Sequence, residues 1–476
     1  MSNLLGIPDE KLDIDKYKRQ LKTGACVIST YRKGIPGATV LAAGGFGKTI
    51  LGILLIKKLC KMGKFKVIVI VPSTQLKEQW IEEIKTFNLD CVEVRTIHSS
   101  HEEGVVCDFL ILDEFDMYQG INQSKIYEKS KYSWLLQMSG TSKRLDGREK
   151  IGLSYAPIVD IIPEEECVKN KWISDFTIYN IPVYLTKEER LREKSLTKLI
   201  AKHLSNPIFN GNIQKMKACM TKEVSQNVIA EIGNYSNDVE YQTQVDILIA
   251  NAATGSRAID DRLAIYYDSE EKMELTVELL NRKLKGFKTI VFSQSTKFSD
   301  KLSTKVENSV MYHSNVTTRI TVDDRVIAIG VNTKIKRKKV LMYRLISDDL
   351  IYSYEDIKKK YPNCKKVGKD KLKKLALQKF KDNEVDKIIT AKTLEQGFSV
   401  DDLQIGVEVS RTRNPRNFMQ KTWRLSRKFY LPNGKMMHGI FICLYIKGTR
   451  DEQAMRESQV NARNIIELET IFELPL

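Results

Sequence analysis

The stretch Ala42-Ala43-Gly44-Gly45-Phe46-Gly47-Lys48-Thr49 constrains this chain more than any other. It follows the apolar run Ala38-Thr39-Val40-Leu41 and leads into Ile50-Leu51-Gly52-Ile53-Leu54-Leu55-Ile56. That order is strand, glycine-rich turn, helix. Such a turn aims several backbone N–H groups at one point, beside the positive end of a helix dipole, and suits phosphate. Gly44, Gly45, Phe46 and Gly47 supply the turn's backbone. Lys48 offers a point charge for β- and γ-phosphates, and Thr49 a hydroxyl for Mg²⁺. The full G-x-x-x-x-G-K-[ST] pattern has glycine where Ala42 stands, so the match rests on Gly45, Gly47, Lys48 and Thr49.

A chain of 476 residues is long enough for two or three domains. Its 77 Lys+Arg against 60 Asp+Glu leave a formal charge of +17. That surplus favours a polyanionic partner, nucleic acid above all, although a merely basic soluble surface gives the same count. The eight cysteines are scattered without a C-x-x-C pair, which argues against disulfides and for a reducing cytoplasm. Cys91, His98, His101 and Cys107 match no common zinc spacing. No apolar run approaches the ~18 residues of a membrane span. The start, Met1-Ser2-Asn3-Leu4-Leu5-Gly6, lacks signal-peptide features, so no membrane association is expected.

Upstream of the loop, Asp15 to Tyr31 reads as a helix carrying Arg19 and Gln20. An adenine contact suits Gln20 there, and an exposed helix surface is the alternative. Downstream, Val67-Ile68-Val69-Ile70-Val71 reads as a buried parallel strand, and Ser73-Thr74-Gln75 caps a helix running on from Leu76. Further strands are expected at Cys91–Val94, Phe109–Leu112 and Trp134–Met138. Strands alternating with helices indicate a doubly wound α/β domain, whose ligands bind at the carboxyl ends of the strands. Asp113 stands at one such end and suits Mg²⁺, and Glu114 beside it suits the attacking water. Ser139-Gly140-Thr141 ends another.

Ile178 to Tyr184 reads as a strand crossing between two domains, and 187–260 as a helical connector. A second α/β pattern follows: a helix over Glu271–Leu284, and strands at Thr289–Ser293, Val310–His313, Val385–Thr390 and Ile405–Val409. It is interrupted at 316–366. Over 316–375, 17 basic against 7 acidic residues leave +10, with the cluster Lys334, Lys336, Arg337, Lys338 and Lys339 at its centre. Tyrosines interleave with these charges. The mixture fits phosphate tracking with base stacking, and a solvated flexible insertion is the alternative. In Gln420-Lys421-Thr422-Trp423-Arg424-Leu425-Ser426-Arg427, a helix would put Arg424 and Arg427 on one face, ready to neutralise charge on a phosphate held by the first domain.

The order of these motifs resembles the superfamily 2 helicases, in particular the DNA-repair branch with XPB-like and phage UvsW-like members, over roughly residues 15–450. Lys48 and Thr49 fall on motif I, and Val71-Pro72-Ser73 with Gln75-Leu76 on motif Ia. Asp113 to Asp116 falls on motif II, and Ser139 to Thr141 on motif III. Ile290 to Phe292 is similar to motif IV, Thr390 to Gly397 to motif V, and Gln420 to Arg427 to motif VI. Departures are Phe115, Ser399 in place of aspartate, and Lys421 and Trp423 in place of arginine and glycine.

The resemblance implies an α/β chain of two RecA-like parallel-sheet lobes with a helical connector and a basic insertion in the second lobe. The expected division is a first lobe at 1–165, linker and connector at 166–265, a second lobe at 266–450 and a tail helix at 451–476. ATP with Mg²⁺ would be the cofactors, bound by Gln20, Gly44 to Thr49, Asp113 and Gly397, with Thr49 and Asp113 holding the metal. Glu114, Gln420, Arg424 and Arg427 would carry the chemistry. Pro72, Ser73, Thr74, Thr390 and the lysine–arginine cluster would touch nucleic acid. The implied activity is an ATP-driven DNA helicase or translocase working on single-stranded, forked or branched DNA in replication, recombination or repair. An RNA-dependent ATPase, and a nucleic-acid scaffold with an inactive nucleotide site, are the alternatives. Compactness and lysine content point to a phage or viral source acting in the host cytoplasm.

Overall fold

The structure is a computed structural model describing residues 13–61, 63, 65–140, 147–233, 235, 237–313, 318–322, 325–335, 338–345, 347, 350–391, 400, 402–428, 430 and 434–476. Counts below refer to these residues.

The first lobe is a six-stranded, wholly parallel sheet. Its strands are β1 (Gly37–Ala42), β2 (Val67–Val71), β3 (Val92–Thr96), β4 (Phe109–Asp113), β5 (Trp134–Ser139) and β6 (Ile158–Ile162), in the order β3-β2-β4-β5-β1-β6. Strands β1, β2 and β4 are buried along their whole length, which is why they read as continuous apolar runs. Helices α1 (Ile14–Arg32), α2 (Lys48–Cys60), α3 (Thr74–Thr86), α4 (Lys125–Lys129), α5 (Glu149–Tyr155) and α6 (Glu164–Lys169) pack around it. Local chemistry sets their starts: the Asp13 carboxylate accepts from Lys16 N–H, and Ser73 Oγ from Leu76 N–H. Because β5 lies between β4 and β1, the ends of these strands bring Asp113, Ser139 and the phosphate loop together.

The chain then enters the second sheet with β7 (Phe176–Val183) and leaves it for four helices, α7 (Lys187–Leu204), α8 (Ile213–Ala218), α9 (Lys222–Ile232) and α10 (Asp238–Asp268), which share a separate apolar core. Helix α7 opens with a capping box between Thr186 and Glu189. After α11 (Glu270–Glu278) and a π turn at Leu279–Lys283 come β8 (Thr289–Ser293), α12 (Thr296–Lys305) and β9 (Ser309–His313).

The segment between β9 and the next parallel strand folds on its own. Strands β10 (Arg319–Val322), β11 (Arg325–Ile335), β12 (Lys338–Leu345), β13 (Ile351–Tyr352) and β14 (Lys365–Val367) form an antiparallel sheet over helix α13 (Tyr354–Lys360). Ile320, Ala328, Tyr343, Leu345 and Ile357 make its core. Helix α14 (Lys369–Lys381), β15 (Lys387–Ala391), β16 (Ile405–Glu408), α15 (Pro415–Thr422), β17 (Gly439–Ile446), α16 (Arg450–Ser458) and β18 (Ile465–Glu467) complete the lobe. Its sheet runs β18-β7-β17-β16-β8-β15-β9, all parallel.

Four expectations change. Residues 176–183 are not a strand crossing between domains but an inner strand of the second sheet, flanked by β17 and β18. The tail adds strand β18 beyond its helix. The described residues of the basic insertion form a sheet with a core, against the flexible run held as the alternative, because its alternating apolar positions bury one face. Arg424 and Arg427 do not share a helical face, since α15 ends at Thr422 and both follow in turns. Among the described residues no helix is long and apolar enough to cross a membrane.

Candidate active site

Strand β1 delivers the loop and α2 begins at Lys48, with Gly47 as its cap. Gly45 and Gly47 have φ of 80° and 94°, a left-handed backbone open to glycine. The Phe46 side chain is fully buried and tilted against Trp172, so it anchors the loop from behind and only its backbone faces a ligand. Lys16 Nζ donates to Gly45 O at 2.8 Å. Gln20 sits beneath the loop, 5 % exposed, and its amide donates to Phe46 O at 3.1 Å and Gly47 O at 3.4 Å. Through that amide Gln20 braces the loop. Its neighbour Arg19 is likewise taken, paired with Asp160 and Glu166 at 2.6 Å each.

Lys48 reaches Glu114 at 3.3 Å. Burial works against its ammonium, but the Glu114 and Asp113 carboxylates outweigh that and hold it above its ordinary range. Asp113 is 4 % exposed; Trp80 Nε1 donates to its Oδ2 at 2.8 Å and Glu114 N to its Oδ1 at 3.1 Å. Burial, then the charge of Glu114, pushes Asp113 up to about 6. Glu114 has a left-handed φ of 53°. Burial alone would raise its carboxyl, yet the charges of Lys48 and Arg416 leave it below its ordinary value. Asp116, wholly buried, is pushed up to about 7 chiefly by burial. Ser139 Oγ donates to Asp116 Oδ1 at 2.7 Å and lies 3.2 Å from Glu114 Oε2.

The second lobe closes over this edge. A cavity of about 470 Å³ lies between them, lined on one side by Lys48, Thr49, Asp113 and Glu114 and on the other by Gln420, Arg424 and Arg427. Trp423, between them in sequence, donates through its indole N–H to Glu164 Oε2 at 2.7 Å. Lys428 pairs with Asp13 at 2.6 Å, Gln75 donates to the Tyr312 hydroxyl at 2.6 Å, and Arg416 pairs with Asp116. Beneath α15, Glu408 holds Arg411 at 3.0 Å and Lys421 at 3.1 Å, all three almost fully buried. Lys421, an apparent departure in the motif, therefore ties α15 to its sheet.

Mg²⁺ would enter with nucleotide as part of the substrate. The donor set fits it: one hydroxyl and one carboxylate, with phosphate and water oxygens to complete the shell. A buried carboxyl raised to about 6 is also a group that a divalent cation would neutralise.

The nucleic-acid candidates are less concentrated. Pro72 is buried, Ser73 is engaged as the α3 cap, and Thr74 is exposed at the carboxyl end of β2. Thr390 is 1 % exposed and its hydroxyl donates to Val291 O at 2.9 Å, so it faces the sheet rather than a ligand. Lys334, Lys338 and Lys339 stand on the β11–β12 hairpin. Thr141, Lys336, Arg337 and Gly397 lie outside the described residues. Sequence reasoning missed Trp80, Lys16 and Arg416. No spacing rule marks them, because each meets the site across a turn of chain or across the cleft.

Residues 13–106 match the family model described as "Type III restriction enzyme, res subunit". Over 465 residues, 94 % of this chain and 84 % of the relative, the sequence is 22 % identical to the DNA 3'-5' translocase XPB2 of Sulfurisphaera tokodaii. In fold it is similar to the Hef helicase domain of Pyrococcus furiosus, with a TM-score of 0.50 at 13 % identity over 94 % of this chain and 98 % of that one. With its two parallel-sheet lobes and the cleft between them, the chain is similar in fold to a helicase domain and in sequence to a DNA translocase.

Proposed function

We propose that this protein hydrolyses Mg²⁺·ATP in the cleft and uses the cycle to move along DNA, separating or remodelling duplex or branched substrates. One observation carries the reading: Lys48, Thr49, Asp113 and Glu114 of one lobe face Gln420, Arg424 and Arg427 of the other across a single cavity. DNA is favoured because the relative aligned along nearly the whole chain is a DNA translocase.

In this reading Lys48 and the loop N–H groups bind the β- and γ-phosphates, while Thr49 and Asp113 hold the Mg²⁺ that accompanies them. The metal neutralises phosphate charge. Glu114 takes the proton of the attacking water, and Gln420 contacts the γ-phosphate region. Arg424 and Arg427 oppose charge growing on the transferred group. Such positions act only when the lobes are closed, so each hydrolysis opens and closes the cleft over a strand lying across both. Thr74 and the basic β11–β12 hairpin are assigned to that strand. The eight free thiols suit a reducing cytoplasm.

The test is steady-state ATPase activity with single-stranded, duplex and forked DNA and with single-stranded RNA. Stimulation by DNA with little by RNA is expected, and Lys48→Ala should lower turnover by ~10³-fold or more. Stimulation by RNA alone would move the substrate to RNA. Unchanged turnover in Lys48→Ala would overturn the site.

A further inference from the structure

Arg416 has no role in the reading above, yet among the described residues it makes the most deeply buried charged contact between the lobes. Its side chain is 11 % exposed and that of its partner Asp116 is fully buried. Its position is tightly determined. Asn414 caps α15 and accepts from Arg416 N–H at 3.0 Å, with Pro415 between them. Arg416 thus sits in the first turn, four residues before Gln420. Residues at that spacing share a helix face, so the face that turns Gln420 to the cavity turns Arg416 to Asp116.

Asp116 is joined to the water-activating candidate through one hydroxyl. Ser139 Oγ donates to Asp116 at 2.7 Å and lies 3.2 Å from Glu114 Oε2. Among the described residues, the other cation paired with these two carboxylates is Lys48, which contacts Glu114. An incoming phosphate competes for that ammonium. Once Lys48 has turned to phosphate, Arg416 is, among the described residues, the cation paired with Asp116 that can hold Asp116, Ser139 and Glu114 in register. It arrives from the other lobe, so it is in place only while the cleft is shut.

We infer that Arg416 is a positioning residue that acts through Asp116 and Ser139 on Glu114, making ATP hydrolysis conditional on lobe closure. The inference rests on the reading of Glu114 as the group that activates water.

The experiment compares wild type, Arg416→Gln, Arg416→Lys, Asp116→Asn, the double variant Arg416→Gln/Asp116→Asn and Glu114→Gln, in DNA-stimulated ATPase assays with urea melts alongside. For Arg416→Gln, kcat should fall by about 100-fold, the scale of a reacting group displaced by ~1 Å, with the KM for ATP little changed. Arg416→Lys keeps the charge and should recover much of kcat, though without the planar fork it falls short of wild type. The double variant should lose no more than the worse single variant, since both break one link. If Arg416→Gln unfolds, Asp116→Asn carries the same test from the first lobe. Wild-type kcat in Arg416→Gln or Asp116→Asn, an effect confined to KM, or additive losses in the double variant would overturn the inference. Full turnover in Glu114→Gln would instead overturn the underlying reading. A dead Glu114→Gln beside an active Arg416→Gln would overturn this inference alone.

Discussion

Trp423 occupies the space that any side chain on Gly140 would need. A Cβ built on Gly140 would stand 2.2 Å from an indole carbon, and one on Gly44 would stand 2.5 Å from the Trp423 Cβ. The glycines belong to the first lobe and the tryptophan to the second, so the closed cleft depends on both glycines staying bare. Gly140→Ala should therefore oppose closure. Overpacking of this kind costs about 1–3 kcal/mol. Drawn from closure, that lowers turnover by roughly 10- to 100-fold with little change in melting temperature. Adding Trp423→Gly removes the clash and should restore part of the rate. ATPase assays on the single and double variants check this, and wild-type turnover in Gly140→Ala would rule it out.

If Asp113 holds the metal as proposed, it should set a pH window for metal-nucleotide binding. Burial and the neighbouring Glu114 charge raise it to about 6. Below that pH the carboxyl holds a proton that Mg²⁺ must displace, and above it the carboxylate is free. Affinity for Mg²⁺·ADP should thus strengthen as pH rises towards 6 and level off beyond it. One displaced proton gives roughly tenfold per pH unit in the acidic arm. Calorimetric titrations from about pH 5 to about pH 8 read the profile, and a flat one would place Asp113 outside the metal shell.

Asp116 offers a stability counterpart. Its folded-state value of about 7 lies above that of an exposed carboxyl, so the folded state binds the proton more tightly. The stability this contributes is present in acid and is lost as pH rises towards 7. Asp116→Asn abolishes that titration. Its stability relative to wild type should climb between about pH 4 and pH 7, whatever constant cost the lost Arg416 pair adds. Urea denaturation across that range measures the difference, and a pH-independent offset would contradict it.

Glu408 carries a larger structural burden. It is the buried counter-charge for both Arg411 and Lys421. Glu408→Gln leaves two cations buried together, and breaking such a set costs about 3–5 kcal/mol. The urea midpoint should drop with an unchanged slope. A variant as stable as wild type would mean that water reaches these cations.

The basic sheet has its own core, so replacing 318–367 with a short flexible linker should leave the two lobes folded. DNA affinity should weaken and its dependence on salt become shallower, because fewer phosphates are neutralised. Fluorescence-anisotropy titrations at several salt concentrations test this. An unchanged slope would remove the hairpin from the DNA interface.

Much of the architecture was legible before any coordinates. Val67 to Val71 and Phe109 to Leu112 are buried on both faces, and a strand buried on both faces has to be apolar at every position. The phosphate loop was legible because its glycines answer a backbone need and its Lys48-Thr49 pair a chemical one. Gln20 and Thr390 mark where such legibility ends: a polar side chain near a motif can serve a ligand or the backbone, and residue type does not distinguish them. The insertion was underread because short alternating strands carry weak signals beside so many lysines.

The sequence by itself determined the two α/β lobes, the loop and its helix, and the carboxylates at a strand end, since each follows from local spacing and continuous apolar runs. Only the tertiary structure decided that 176–183 joins the second sheet, that Gln20 braces the loop, that Trp423 fills the space beside Gly44 and Gly140, and that Arg416 meets Asp116. These are contacts between residues tens to hundreds of positions apart. Such pairings are set by how the lobes pack, and no local pattern along the chain encodes them.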